Sequence, residues 1–293
     1  MVDKLLFKPW IDVEIEHVTK MVSKTGWSPL PEGYRYIQRT FEKGNPIAVD
    51  KTAWDWTMPG WVAECYFNNK VLQCQNPNWM YVRACRSRFE EVLRSATFRL
   101  SDGSRYRQKE AGIMKSGWLL TLSANSAAQF YQHVLAWAWA VDFVGKHRIL
   151  HEIGIPKLWA MGDDMLVDFA TINGSLLKVN DEFLELYEQA LRETGCLVKH
   201  LKRGIEFAGY SFDEGKVEPL YQEKHQFILN YVNPDVEQMT LLSYHLLYSK
   251  VSGFGWLGKV RQRAEFPVGV QFQRWADGMA SLRCLTGDLE WMK

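Results

Sequence analysis

The stretch Lys157-Leu158-Trp159-Ala160-Met161-Gly162-Asp163-Asp164-Met165-Leu166-Val167-Asp168-Phe169 constrains the fold more than any other. Two short apolar runs flank a Gly-Asp-Asp triplet, a pattern that predicts a hairpin of two buried strands. Adjacent carboxylates on a rigid turn repel each other unless a cation sits between them. Hard oxygen ligands of this kind suit Mg²⁺ or Mn²⁺. The same triplet also serves as a solvated hairpin turn, so its meaning depends on which other polar groups the chain brings to it.

The 293 residues are ample for a hydrophobic core. With 47% hydrophobic and 24% charged residues, wholesale disorder is excluded. A net charge of +1 creates no global positive field, so any nucleic-acid binding must come from local clusters. One such cluster exists: between Arg83 and Lys109 eight Lys/Arg face three acids, interleaved with Phe89, Phe98 and Tyr106. Arg99, Arg105 and Arg107 in it are candidate phosphate contacts, and a solvated basic face is an equal reading. The 13 Trp suit interior packing and base stacking alike. Cys65, Cys74, Cys85, Cys196 and Cys284 form no Cys-x-x-Cys pair, which predicts buried thiols in a reducing compartment. His147 and His151 read as surface residues at a helix end. The chain shows no signal peptide, and no apolar run approaches the roughly 18 residues of a membrane helix.

Taken in order, residues 1–45 predict a short helix followed by Pro/Gly-punctuated loops. Pro46 to Asp50 reads as a buried strand ending in a carboxylate. Asp55 follows within Trp54-Asp55-Trp56, as a metal or substrate ligand or as a helix cap. Pro59 opens a helix to about Gln73. A further helix spans Pro77 to Ser95, then Thr97 to Leu100 turns at Asp102-Gly103 into Arg105-Tyr106-Arg107. Ser116-Gly117 makes a flexible turn before a long, centrally buried helix from about Leu119 to about Lys146. Thr121 and Asn125 share one face of it, while Ser123 and Ser126 read as bonding their own backbone. Asn180 caps a helix that Gly195 ends. Cys196 to Lys199 and Glu206 to Phe212 read as strands, with a tight turn at Asp213-Glu214-Gly215. Beyond Pro234 the pattern is helical. The expected fold class is α+β, with a body over 46–232, an insertion at about 74–115, and a small helical segment over 233–293.

Three pieces now stand in order: Asp50-x₄-Asp55, then Ser116-Gly117-x₃-Thr121-x₃-Asn125-Ser126, then Gly162-Asp163-Asp164. This succession resembles motifs A, B and C in the palm of viral RNA-directed RNA polymerases. Trp-Asp-Trp-Thr and the Met-Lys-Ser-Gly run are similar to the sobemovirus and polerovirus-like members. The resemblance spans roughly residues 40–212; Gly195 and Lys199 match the spacing of motif D, and Glu206 to Phe212 resembles motif E. It implies a right-hand palm, an antiparallel sheet packed on helices, with partial fingers and a small helical thumb. It also implies nucleotidyl transfer from NTPs to an RNA 3′-hydroxyl with two ions, Mg²⁺ or Mn²⁺. Asp50, Asp163 and Asp164 are then the metal ligands and Lys199 the proton donor to pyrophosphate, or else a surface lysine. Asp55 and Asn125, with Ser116, Gly117 and Thr121, sense the ribose 2′-hydroxyl. The implied partners are template and nascent RNA, NTPs and other viral replication proteins, in a replication complex of the host cytoplasm.

That family carries a Lys/Arg-rich motif F and most of the fingers before motif A. Residues 1–49 hold no convincing basic strand, so the resemblance implies a partial polymerase whose own activity is open. A reverse transcriptase shares the carboxylate hairpin, but Asn125 argues against it. A non-catalytic RNA-binding palm fragment is the third reading, disfavoured by the three intact aspartates.

Overall fold

The computed structural model describes residues 1–42, 44–145, 154–169, 179–251, 256–258, 260–266 and 270–282. His147, His151 and Cys284 lie outside them. In chain order the first elements are α1 (Val2–Glu16), α2 (Gly33–Phe41), β1 (Pro46–Lys51), α3 (Trp54–Thr57), α4 (Gly60–Gln73) and α5 (Trp79–Leu93). Then come β2 (Thr97–Arg99), β3 (Arg105–Arg107), α6 (Thr121–Gly145), β4 (Lys157–Met161) and β5 (Asp164–Asp168). The rest are α7 (Asp181–Glu193), β6 (Val198–Arg203), β7 (Glu206–Phe207), β8 (Tyr210–Ser211), β9 (Glu218–Pro219), α8 (Gln222–Asn230), α9 (Glu237–Leu247) and α10 (Val270–Ala276). The chain is α+β with antiparallel sheets, and it divides into two compact units: 1–27 with 44–203, and 28–43 with 204–293.

The first unit is built on a four-stranded sheet of order β4-β5-β1-β6, antiparallel throughout. Its strands follow a β-α-β-β-α-β succession, with α3 to α6 in the first crossover and α7 in the second. Strand alternation sorts the side chains. Ile47, Val49, Leu158, Ala160, Met165 and Val167 join one core with Val62 and Tyr66 of α4, Ala124, Ala128, Ala136 and Trp137 of α6, and Phe183 and Tyr187 of α7. On the opposite face Trp159 is buried against Trp27, ring centroids 5.6 Å apart.

α6 starts at Thr121, close to expectation, and its alanines let it lie near the sheet. It is not buried all round, however: Leu122, Leu135 and Trp139 are exposed. Its buried side instead carries Ser123, Asn125, Ser126, Gln129, Gln132 and His133. The expected hairpin forms as β2 and β3, in register Thr97↔Arg107, Phe98↔Tyr106 and Arg99↔Arg105. Among the thiols, Cys85 and Cys196 are buried but Cys65 is exposed, so the expectation of buried cysteines holds only in part.

The second unit contains a helix that the loop reading of residues 1–45 missed. Tyr34, Ile37 and Phe41 form a buried stripe on α2. Glu206 to Phe212 is not one strand either, because Ala208 (φ 50°) and Gly209 (φ 76°) turn the chain into a β7–β8 hairpin. Positive φ at both loop residues is the pattern of a type I′ turn. β9 completes the meander. Leu229, Leu241, Leu242, Tyr248, Leu257, Phe266 and Phe272 make a separate core. The expected break at Asn233-Pro234 falls inside this unit, where Pro234–Val236 forms a 3-10 turn leading into α9.

Candidate active site

All the groups assembled here belong to the first unit. β4 and β5 are joined by Gly162-Asp163, with Met161 paired to Asp164. Of these two loop residues only Gly162 has positive φ, 66°, as in a type II′ turn. Asp164 therefore opens β5, and Asp163 stands at the tip. The Gly162 N–H donates to Ser126 Oγ at 3.0 Å, and that hydroxyl donates to Leu122 O at 2.8 Å. Ser126 bonds its own helix as expected, and it also pins the turn to α6.

β1 brings up the next carboxylate. Val49 pairs with Met165, so Asp50 follows on opposite Asp164, both on the face away from the helices. Between Asp50 and Lys51 the register with β6 slips: Asp50 pairs with His200, but Lys51 pairs with Val198. Lys199 is the extra residue of a bulge, and bulges re-aim side chains. Its Nζ donates to Asp50 Oδ2 at 2.8 Å, and His200 Nε2 stands 3.9 Å from the same oxygen. With the side chains 59% and 38% exposed, this ion pair contributes at most about 1 kcal/mol.

Lys51 takes the opposite course. Alternation drives it into the core, where Nζ donates to Gln129 Oε1 and, at 2.7 Å, to Gln132 Oε1. It stands 4.6 Å from the Trp54 ring centroid, and burial pushes its pKa down to about 8. No sequence pattern signalled this pairing, because the glutamines lie some eighty positions away on α6.

After Ala53 (φ 47°), α3 folds back and aims Asp55 toward α6. Among the described residues its carboxylate caps no helix; it accepts from Ser116 Oγ at 2.9 Å and from Asn125 Nδ2 at 3.2 Å. The segment bearing Ser116 is tied down beside it, with Met114 N–H on Asp55 O at 2.7 Å and Ile113 N–H on Met58 O at 3.2 Å. Lys115 Nζ reaches Gln108 Oε1 and, at 2.7 Å, Ile113 O; burial lowers its pKa to about 8. Gly117 has φ 86°, a conformation that side-chain-bearing residues rarely adopt. The Thr121 hydroxyl is spent on Lys115 O at 2.7 Å and Trp118 O at 2.8 Å, so it shapes the turn.

Asp55, Gly117, Thr121, Leu122, Asn125, Gly162 and Asp163 line one pocket of about 460 Å³. That is within the usual range for small-molecule sites. Asn125 is only 4% exposed, and its Oδ1 has no hydrogen-bond partner among the described residues. Such an acceptor calls for a donor from a ligand or a water. Asp50 and Lys199 stand on the sheet beside the turn rather than in the pocket wall. Arg99, Arg105 and Arg107 are exposed on one face of the β2–β3 hairpin.

As hard oxygen donors, Asp50, Asp163 and Asp164 are of the chemical type that holds Mg²⁺ or Mn²⁺. Among the described residues no three His, Cys, Asp or Glu side chains converge into a ready-made metal cage. No known family model matches this chain, and no curated protein matches it.

Proposed function

We infer that the first unit is the palm of an RNA-directed RNA polymerase, and that the chain catalyses template-directed transfer of nucleotides from NTPs to an RNA 3′-hydroxyl. The observation that carries the reading is the convergence of three chain-distant motifs. Asp50 follows Val49, whose ladder partner Met165 adjoins Asp164, while Asp55 is hydrogen-bonded to Ser116 and Asn125 in a pocket that Asp163 also lines. Asp50, Asp163 and Asp164 would hold two divalent ions, which when bound lower the hydroxyl pKa and steady the attacking and leaving oxygens. Asn125 Oδ1 offers an acceptor to the 2′-hydroxyl of an incoming ribonucleotide, and Asp55 fixes the amide's orientation. Lys199, whose Nζ is held on Asp50, would serve as the proton donor to the leaving pyrophosphate. The second unit is read as thumb and connecting segments, and the exposed arginines of the β2–β3 hairpin as contacts to RNA phosphates. As a viral replication protein it would work with other replication proteins in the host cytoplasm.

One observation favours a second reading, a non-catalytic RNA-binding palm: Asp50 already holds an ammonium partner, Lys199 Nζ at 2.8 Å. Primer extension with Mn²⁺, comparing wild type with Asp163→Ala, separates the two. Extension by wild type alone supports the polymerase. Equal RNA binding with no extension by either protein overturns it in favour of the second reading.

A further inference from the structure

Behind the Gly-Asp-Asp turn, on the far side of α6 from the nucleotide pocket, the first unit contains a second cavity of about 180 Å³. Its walls are Met21, Val22 and Ser23, then Tyr66, Asn69 and Lys70 of α4, then Ser126, Ala127, Phe130 and Tyr131 of α6, with Glu14 of α1. Two of these walls hold the catalytic hairpin directly. Ser126 accepts from the Gly162 N–H at 3.0 Å. The 22–24 segment brackets β4, with Ala160 N–H on Val22 O at 3.0 Å and Lys24 N–H on Ala160 O at 2.7 Å.

The chemistry of the lining selects an occupant. Glu14 is 3% exposed and its Oε1 accepts from Lys70 Nζ and, at 2.6 Å, from Ser123 Oγ. Those partners balance its charge, so a charged ligand gains nothing there and would lose its hydration. Glu14 Oε2, however, is shielded from solvent and has no partner among the described residues. A buried acceptor left unpaired costs about 1–3 kcal/mol, which a ligand donor that reached it would recover. The rest of the lining is mainly apolar, from Met21, Val22, Ala127, Phe130 and the two tyrosine rings, with polar groups from Ser23, Asn69 and Gln73. Even a smaller cavity, of roughly 150 Å³, accommodates one benzene ring.

We propose that this cavity is a binding site for a small neutral molecule made of one aromatic ring and a hydroxyl group, seated against the back of the Gly-Asp-Asp turn. Its ring lies between Val22 and Phe130, and its hydroxyl donates to Glu14. Control of the turn by this ligand rests on the polymerase reading; the binding itself does not.

The probe is 4-fluorophenol, followed by ¹⁹F NMR on the full chain. Saturable binding with Kd on the order of 1 mM is expected for a ligand of this size. The Gly162 amide resonance should shift with the same midpoint. Ala127→Leu, which fills the cavity from α6, should weaken binding at least about tenfold while the protein stays folded; Ala127→Ile replaces it if the leucine variant fails to fold. Absence of saturable binding, which would mean a cavity holding water only, overturns the proposal. So does binding that the filled variant retains. In a parallel arm, primer extension is measured with and without the probe. No extension in either condition counts against the polymerase reading and leaves the site standing.

Discussion

Asn125→Ala separates a ligand acceptor from a structural pin. The substitution removes a hydrogen bond to the Asp55 carboxylate, 3.2 Å long, of a kind that contributes about 1.5–3 kcal/mol. It also removes Oδ1, buried and without a partner among the described residues, whose desolvation costs about 1–3 kcal/mol. The two nearly cancel, and Asp55 keeps its bond from Ser116. Denaturant unfolding should therefore show a change of no more than about 1 kcal/mol. Function should respond far more. If Oδ1 receives the ribose 2′-hydroxyl, a deoxynucleotide leaves it unpaired, a difference of about 1–3 kcal/mol or roughly 5- to 150-fold in kcat/KM. Single-nucleotide incorporation, comparing NTP with dNTP, should show that ratio collapse in the variant. A loss of stability above about 2 kcal/mol would make Asn125 a pin. An unchanged ratio in a stable variant would refute its role as the ribose sensor.

Three more expectations follow from the geometry. Gly162→Ala puts a side chain at φ 66°, at a strain cost of about 1–2 kcal/mol, and its Cβ meets only the flexible end of Leu122 at 3.4 Å; chemical denaturation within 0.5 kcal/mol of wild type, roughly the error of such a comparison, would contradict the turn geometry. Lys24 is buried and its pKa is pushed down to about 8 by desolvation. The unfolded chain therefore binds more protons between that value and the unperturbed lysine pKa of about 10.4, and stability should climb by about 1–3 kcal/mol as pH rises through this window. Lys51 and Lys115, also lowered to about 8 by burial, add to the climb, so Lys24→Met should reduce it without abolishing it, and an undiminished profile in the variant would assign it elsewhere. Replacing Arg99, Arg105 and Arg107 together with Gln should weaken single-stranded RNA binding and lower the slope of log K against log salt by about 2, near 0.7 per lost phosphate contact. An unaltered slope would remove the hairpin from the RNA path.

What could be read from the chain alone was whatever is encoded over a few residues. The Gly162 turn, the strand ending at Asp50, the β2–β3 hairpin and the Asn180 cap are local statements, made by backbone preferences and short apolar runs. Motif order brought Asp55 and Asn125 together on paper, and their hydrogen bond spans 70 positions in the chain. Other decisions belonged to the tertiary structure. Strand alternation sent the charged Lys51 inward and left Asp50 out, but only α6, by supplying Gln129 and Gln132, made that burial tolerable. One extra residue in β6 turned Lys199 onto Asp50, and bulges have no signature without the partner strand. The serines of α6 read as bonded to their own backbone. The polar side of that helix proved to be the inner wall, because Glu14, Lys51 and Gly162 arrive from distant parts of the chain to use it. Whether a polar side chain faces water or another buried group depends on what packs against it, and that is settled by contacts between segments that the local pattern does not encode.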